Sequence, residues 1–198
     1  MSSDFQSVIQ SHIDEHQRVL SDFGALTPVL GEIASRMIAC LEEGGKILLF
    51  GNGGSAADAQ HIAAEFSIRF LRERKALAGL ALTTDTSVLT ACGNDYGFES
   101  VFSRQLEALA RPGDVVIGIS TSGTSKNIVA GLQTAKDLGC VTVAFTGLPR
   151  GDTANLCADL SDHAVVIPSE VTARSQECHI LAGHILCDLV DRHWTQDS

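Results

Sequence analysis

The chain has 198 residues, 44% hydrophobic and 19% charged, which is enough for a substantial core and too apolar for a disordered polymer. Its formal net charge of −10 argues against nonspecific nucleic-acid binding, though not against an anionic small ligand, because a local cradle of N–H groups overrides a distant, screened charge. No apolar run approaches the roughly 18 residues of a membrane helix, and the start MSSDFQSVIQSHIDEHQ is too polar and acidic for a secretory signal, so a cytoplasmic location with no membrane partner is expected.

Two helices are predicted first. Phe5, Val8, Ile9, Ile13 and Leu20 recur at helical spacing, and so do Leu30, Ile33, Ala34, Met37, Ile38 and Leu41. His12 and His16 fall on the first stripe and read as packing or subunit contacts. From Lys46 the pattern changes to short apolar runs, KILLF, AGLALT, DVVIGIS, CVTVAFT and DHAVVIP, separated by helical segments. Such runs suit strands buried on both faces, and their alternation with helices predicts right-handed βαβ crossovers and a parallel sheet. RPGD, Arg111 to Asp114, marks a turn before the third strand. The stretch from about Glu170 to Trp194 reads as one long helix. The six cysteines form no CxxC pair and read as reduced, buried small hydrophobes. With no repeat or linker, residues 1–198 are taken as one α/β domain: a helical segment over 1–44, then a sheet core and C-terminal helix over 45–198.

Two loops at the carboxyl ends of strands carry the candidate chemistry. GNGGSAAD follows KILLF: Gly51, Gly53 and Gly54 permit close backbone approach, and Ser55 is expected to cap the next helix. STSGTS, Ser120 to Ser125, follows VVIGIS and gathers four hydroxyl residues around Gly123 at a helix start, the donor set a phosphate monoester needs. Neither loop matches GxxxxGK[ST] or GxGxxG, which weakens a nucleotide reading. His61 and Glu65, four apart, share one helix face. Gln176, Glu177, His179 and His184 share the last helix, with Gln176 and His184 offset by roughly 80°. Imidazole, carboxylate and amide together suit a divalent ion such as zinc or, without metal, a proton-transfer pair. Each group taken singly is also an ordinary polar helix residue.

The segments GNGGSAADAQHIAAE, ALTTDTSVLTACGNDYGFE, PGDVVIGISTSGTS and SQECHILAGHILCDLV closely resemble the phosphoheptose isomerases, sedoheptulose 7-phosphate isomerases of the sugar isomerase (SIS) fold. The resemblance covers most of the chain from Gly45 to Val190. It implies a three-layer sandwich with a five-stranded parallel sheet, and a homotetramer with sites at subunit interfaces and N-terminal helices for oligomerisation. It further implies formation of D-glycero-D-manno-heptose 7-phosphate, a precursor of lipopolysaccharide core heptose. By the same resemblance Glu65 is the general base and His184 the general acid, and His61, Glu65, Gln176 and His184 match positions that bind zinc in some members. Contacts to the phosphorylated seven-carbon sugar carry over to Asn52, Gly53, Gly54, Asn94 and Asp95, and to Ser120, Thr121, Ser122, Ser125 and Gln176. Ser55, His61 and Glu65 belong to the same implied site. Thr124, where the family often has asparagine, and Ser175, where an aliphatic is common, depart from the pattern.

Two rivals stand beside this reading. One is a non-enzymatic SIS-fold tetramer that binds the replication initiator protein; that relative lacks the glutamate and histidine kept here as Glu65 and His184. The other is an isomerase of a different phosphosugar, since the loops do not measure sugar length. The basic run Arg69, Arg72, Arg74 and Lys75 reads as a solvated helix end or subunit contact, with Arg69 the member that approaches substrate if any does. Asp85 and Thr86 read as a helix cap.

Overall fold

The computed structural model describes residues 2–196. Parallel pairing joins five strands, β1 (Ile47–Gly51), β2 (Gly79–Ala81), β3 (Val115–Ser120), β4 (Val141–Gly147) and β5 (His163–Ile167), in the order β2-β1-β3-β4-β5. The predicted runs become strands because they are apolar throughout: every residue of β1 and β3 is buried. The edge strand β2 is shorter than its run, three residues, with Leu80 left exposed.

Alternate strand residues feed two apolar layers. Ile47, Leu49, Ile117, Val143 and Phe145 face one side. There they meet α1 (Ser2–Phe23), α2 (Thr27–Glu42), α3 (Gly54–Ser67) and α8 (Thr172–Gln196). Leu48, Phe50, Val116 and Ala144 face the other side. They meet α4 (Thr86–Asp95), α5 (Ser103–Leu109), α6 (Lys126–Asp137) and α7 (Leu156–Leu160). The result is the three-layer α/β sandwich the sequence predicts.

At the amino ends of the strands, the Arg111–Asp114 turn ties β1 to β3. The Asp114 carboxylate accepts the N–H groups of Arg111 (2.8 Å) and Lys46 (3.0 Å) and pairs with Lys46 Nζ at 2.6 Å. All six cysteines are free and buried, as expected. Burial pushes the thiols of Cys157 and Cys187 up to about 12, so neither is a thiolate at neutral pH.

The stretch Asp4–Glu42 contains a window long and apolar enough to cross a bilayer by length and composition. A 3₁₀ turn at Gly24–Leu26 interrupts it, and α2 buries Leu30, Ile33, Ala34, Met37, Cys40 and Leu41 in the core. That is the pattern of an amphipathic core helix.

Candidate active site

The strand order reverses between β1 and β3, and ligands of open parallel sheets bind beyond the strand carboxyl ends at such a reversal. Both loops singled out in the sequence leave from that point, because β1 and β3 are neighbours, with Gly51 opposite Ile119.

In the first loop, Gly53 has φ +55° and occupies the cap position of α3. A Cβ at Gly51 would meet the Ser55 main chain at 2.7 Å, so only glycine lets the helix fold back over the strand end. Ser55 is therefore not the cap. The tight turn at Asn52–Gly53 starts the helix early and leaves Ser55 buried at its second position. Asn52 exchanges two amide hydrogen bonds with Asn127 of α6, at 2.9 and 2.8 Å, which ties this loop to the helix opened by the second loop.

In the second loop, Ser120 Oγ donates to Ser125 Oγ at 3.1 Å and lies 3.4 Å from Ser122 Oγ. Ser122 Oγ also accepts from Thr124 Oγ1 at 3.1 Å. These hydroxyls converge at the N-terminus of α6, where free N–H groups and the helix dipole favour an anion. Thr121, Ser122 and Thr124 line a cavity of about 320 Å³ together with Arg150, Thr153 and Thr172. The sequence reading missed Arg150. The signal available was a cation in the loop after β4, at the same edge of the sheet as both candidate loops.

The second centre forms where α3 meets α8. A Cβ at Gly183 would overlap the Ile62 side chain, so glycine permits close approach of the two helices there. The adjacent residues then meet: His184 Nε2 lies 3.0 Å from His61 Nε2, and His61 Nε2 lies 3.4 Å from Glu65 Oε1. One donor atom from each of the three residues falls within 4.8 Å of the others. At 3.0 Å the two ring nitrogens cannot both carry protons; either one donates to the other or a cation serves both. Donors around a tetrahedral zinc stand about 3.4 Å apart for bonds of about 2.1 Å, and the His184–His61 and His61–Glu65 separations are close to that spacing. Gln176 reaches the first turn of α3: a Cβ at Gly54 would lie 2.5 Å from Gln176 Nε2. The Phe70 ring stacks on His184 with centroids 5.0 Å apart and planes 17° from parallel. One turn before His61, burial pushes the Asp58 carboxyl above its usual range while the His61 imidazole opposes the shift.

Other predicted members lie elsewhere. Asn94 and Asp95, at the end of α4, are exposed and hydrogen-bonded to each other at 2.8 Å. His179 turns into the core, with Nε2 3.1 Å from Thr146 O, and burial pushes it down to about 4. Glu177 turns to α1 and pairs with His16 at 2.6 Å and Arg174 at 2.6 Å. Asp85 caps α4 as expected, accepting from the Val88 N–H at 3.0 Å. The basic run divides: Arg69 pairs with Glu73 in solvent, whereas Arg74 is buried, contrary to expectation.

The SIS domain model matches residues 11–147. The chain is 56% identical over 160 residues to the phosphoheptose isomerase of Aquifex aeolicus (strain VF5), spanning 81% of this chain and 82% of that one. It is 52% identical over 191 residues to the phosphoheptose isomerase of Paramagnetospirillum magneticum, spanning 94% and 96%. The fold matches the phosphoheptose isomerase structure from Neisseria gonorrhoeae with a TM-score of 0.87 at 44% identity, over 95% of this chain and 99% of that one. The chain belongs to the SIS-domain family, within it to the phosphoheptose isomerases, and is thereby a phosphosugar isomerase.

Proposed function

We propose that this chain interconverts sedoheptulose 7-phosphate and D-glycero-D-manno-heptose 7-phosphate through an enediol, the first step towards ADP-heptose and lipopolysaccharide core. The observation that carries the proposal is the meeting of His184, His61 and Glu65 across α3 and α8, beside the loop that leaves β1. The names of relatives support the seven-carbon sugar, and the geometry supports the proton chemistry.

The hydroxyl loop Ser120–Ser125 holds the phosphate, with Thr121, Ser122 and Ser125 as donors. Anchoring the far end of the sugar uses remote binding energy to hold C1 and C2 in place. Glu65 takes a proton from C1 of the ketose while His184 gives one to the C2 carbonyl oxygen, which yields the enediol. Glu65 then returns its proton to C2, and His184 takes the proton from the C1 hydroxyl as the aldehyde forms. Asn52, Gly53, Gly54 and Gln176 orient the open-chain hydroxyls, and Asn94 and Asp95 join them if a neighbouring subunit completes the site. His61, Glu65, Gln176 and His184 would hold a zinc ion. That ion would supply Lewis-acid polarisation of the substrate oxygens. Assembly is a homotetramer.

The test is turnover of sedoheptulose 7-phosphate by the parent, Glu65→Gln and His184→Gln. Each variant is expected to lose at least about a hundredfold in kcat, the scale of a general acid or base. Chelation is expected to lower turnover, and zinc to restore it. A Glu65→Gln enzyme as fast as the parent removes the assigned base; a parent inert on heptose phosphate but active on a shorter ketose phosphate reassigns the substrate.

A further inference from the structure

Arg74 and Asp191 lie outside every role assigned so far, yet their side chains are 1% and 0% exposed. Arg74 Nε donates to Asp191 Oδ1 at 2.6 Å. Its Nη2 donates to the Glu65 carbonyl at 2.7 Å, and its Nη1 to the carbonyls of Phe66 and Lys75, both at 2.9 Å. The guanidinium thus caps the last turn of α3, where carbonyls have no helical partner. The other carboxylate oxygen, Asp191 Oδ2, accepts three consecutive main-chain N–H groups: Phe70 at 3.2 Å, Leu71 at 3.0 Å and Arg72 at 3.1 Å. Asp191 also follows His184 by two turns on the same face of α8.

We propose that the Arg74–Asp191 pair is the positioning device of this isomerase site, fixing Glu65 through its carbonyl and His184 through the Phe70 ring that stacks on it. This rests on Glu65 and His184 being the proton-transfer pair. An apolar pair of similar volume would stabilise a core at least as well as buried ions. What the ions contribute is direction: one planar fork and one carboxylate fix the main chain on both sides of the reacting groups. Lysine cannot replace Arg74, because a point charge does not serve a carboxylate and three carbonyls in one plane.

The test uses the full chain with sedoheptulose 7-phosphate and the variants Arg74→Lys, Asp191→Asn, Phe70→Leu and Phe70→Tyr, with folding checked by circular dichroism. Arg74→Lys and Asp191→Asn are expected to lose about tenfold or more in kcat, the scale of a small misplacement of reacting groups. KM is expected to stay within about twofold, because the phosphate loop is untouched. Amide exchange at Phe70–Arg72 should accelerate in both variants. Phe70→Leu should lose kcat, and Phe70→Tyr, which keeps the ring, should retain it. Unchanged kcat in folded Arg74→Lys and Asp191→Asn, with Glu65→Gln and His184→Gln inactive, overturns the positioning role alone. Full activity in Glu65→Gln and His184→Gln overturns the acid–base reading beneath it. If the ion-pair variants fail to fold, the Phe70 pair decides: a leucine variant as fast as the parent overturns the proposal.

Discussion

His179 and His184 share a helix, but five positions turn their side chains about 140° apart, and their surroundings then differ. His184 faces His61, while His179 packs on Phe145 with ring centroids 5.7 Å apart. Burial pushes His179 down to about 4; its hydrogen bond to Thr146 O opposes that shift without reversing it. In the unfolded chain an imidazole titrates near 6.5. Between those values the unfolded state binds the extra proton, so stability falls as pH drops from about 6.5 to about 4, by up to roughly 3 kcal/mol. His179→Phe removes this titration and one hydrogen bond. The variant should be less stable than the parent by about 1 kcal/mol at pH 7, and the gap should close and then reverse by pH 4. Urea midpoints measured across that range check it; parallel curves for the two proteins would mean that the buried ring does not stay neutral.

At the scale of elements, local pattern was enough for most of the fold and for both loops of the candidate site. Five apolar runs became five strands; the central β1 and β3 are buried on both faces, and the edge run shortened where solvent reaches Leu80. Both loops were legible because glycine and hydroxyl clusters after a strand have a direct steric meaning. The Ser55 cap failed because an α3 start at Gly54 is set by the φ +55° turn at Gly53, which side-chain preference does not encode. Arg74 was misread because its partner lies 117 residues away, and a cation in a basic run carries no local mark of burial. The glycine of the second loop shows the legible kind of constraint. Gly123 has φ +67°, and a Cβ there would overlap Asn155 Oδ1, which caps α7 through the Ala158 N–H at 3.2 Å. Gly123→Ala should therefore deform the hydroxyl loop, adding about 1 kcal/mol of backbone strain to the displacement of Asn155. KM for the phosphosugar is expected to rise roughly tenfold, equivalent to about 1.4 kcal/mol of lost binding, with a lower Tm. Steady-state kinetics decide it, and a KM unchanged by the methyl group would separate this loop from phosphate binding.

For the whole molecule, the question is what covers α1. Its last turns reach the core through Val19 and Phe23, and two residues of α8 fasten it: Arg174 donates to His12 O at 2.5 Å, and Glu177 pairs with His16 at 2.6 Å. The stripe of Phe5, Val8, Ile9, Ile13 and Leu20 nevertheless stays exposed, with Phe5 at 66% and Ile9 at 59%. A soluble chain rarely leaves such a row in water, and burying each of these side chains is worth about 1.5–3 kcal/mol. Copies of the same helix are the proposed occupants, and the proposed homotetramer would then be a consequence of α1 rather than of the sheet. Ile9→Glu with Ile13→Glu places two carboxylates on that stripe without touching the sheet, either loop or the His61–Glu65–His184 cluster. Light scattering should then show the mass falling from four chains towards one. Turnover should fall with it, although the proton-transfer groups are intact, if Asn94 and Asp95 reach substrate only from a neighbouring chain. A doubly substituted protein that keeps four chains would move the interface off α1, and one that dissociates yet keeps full kcat would place a complete site in a single chain.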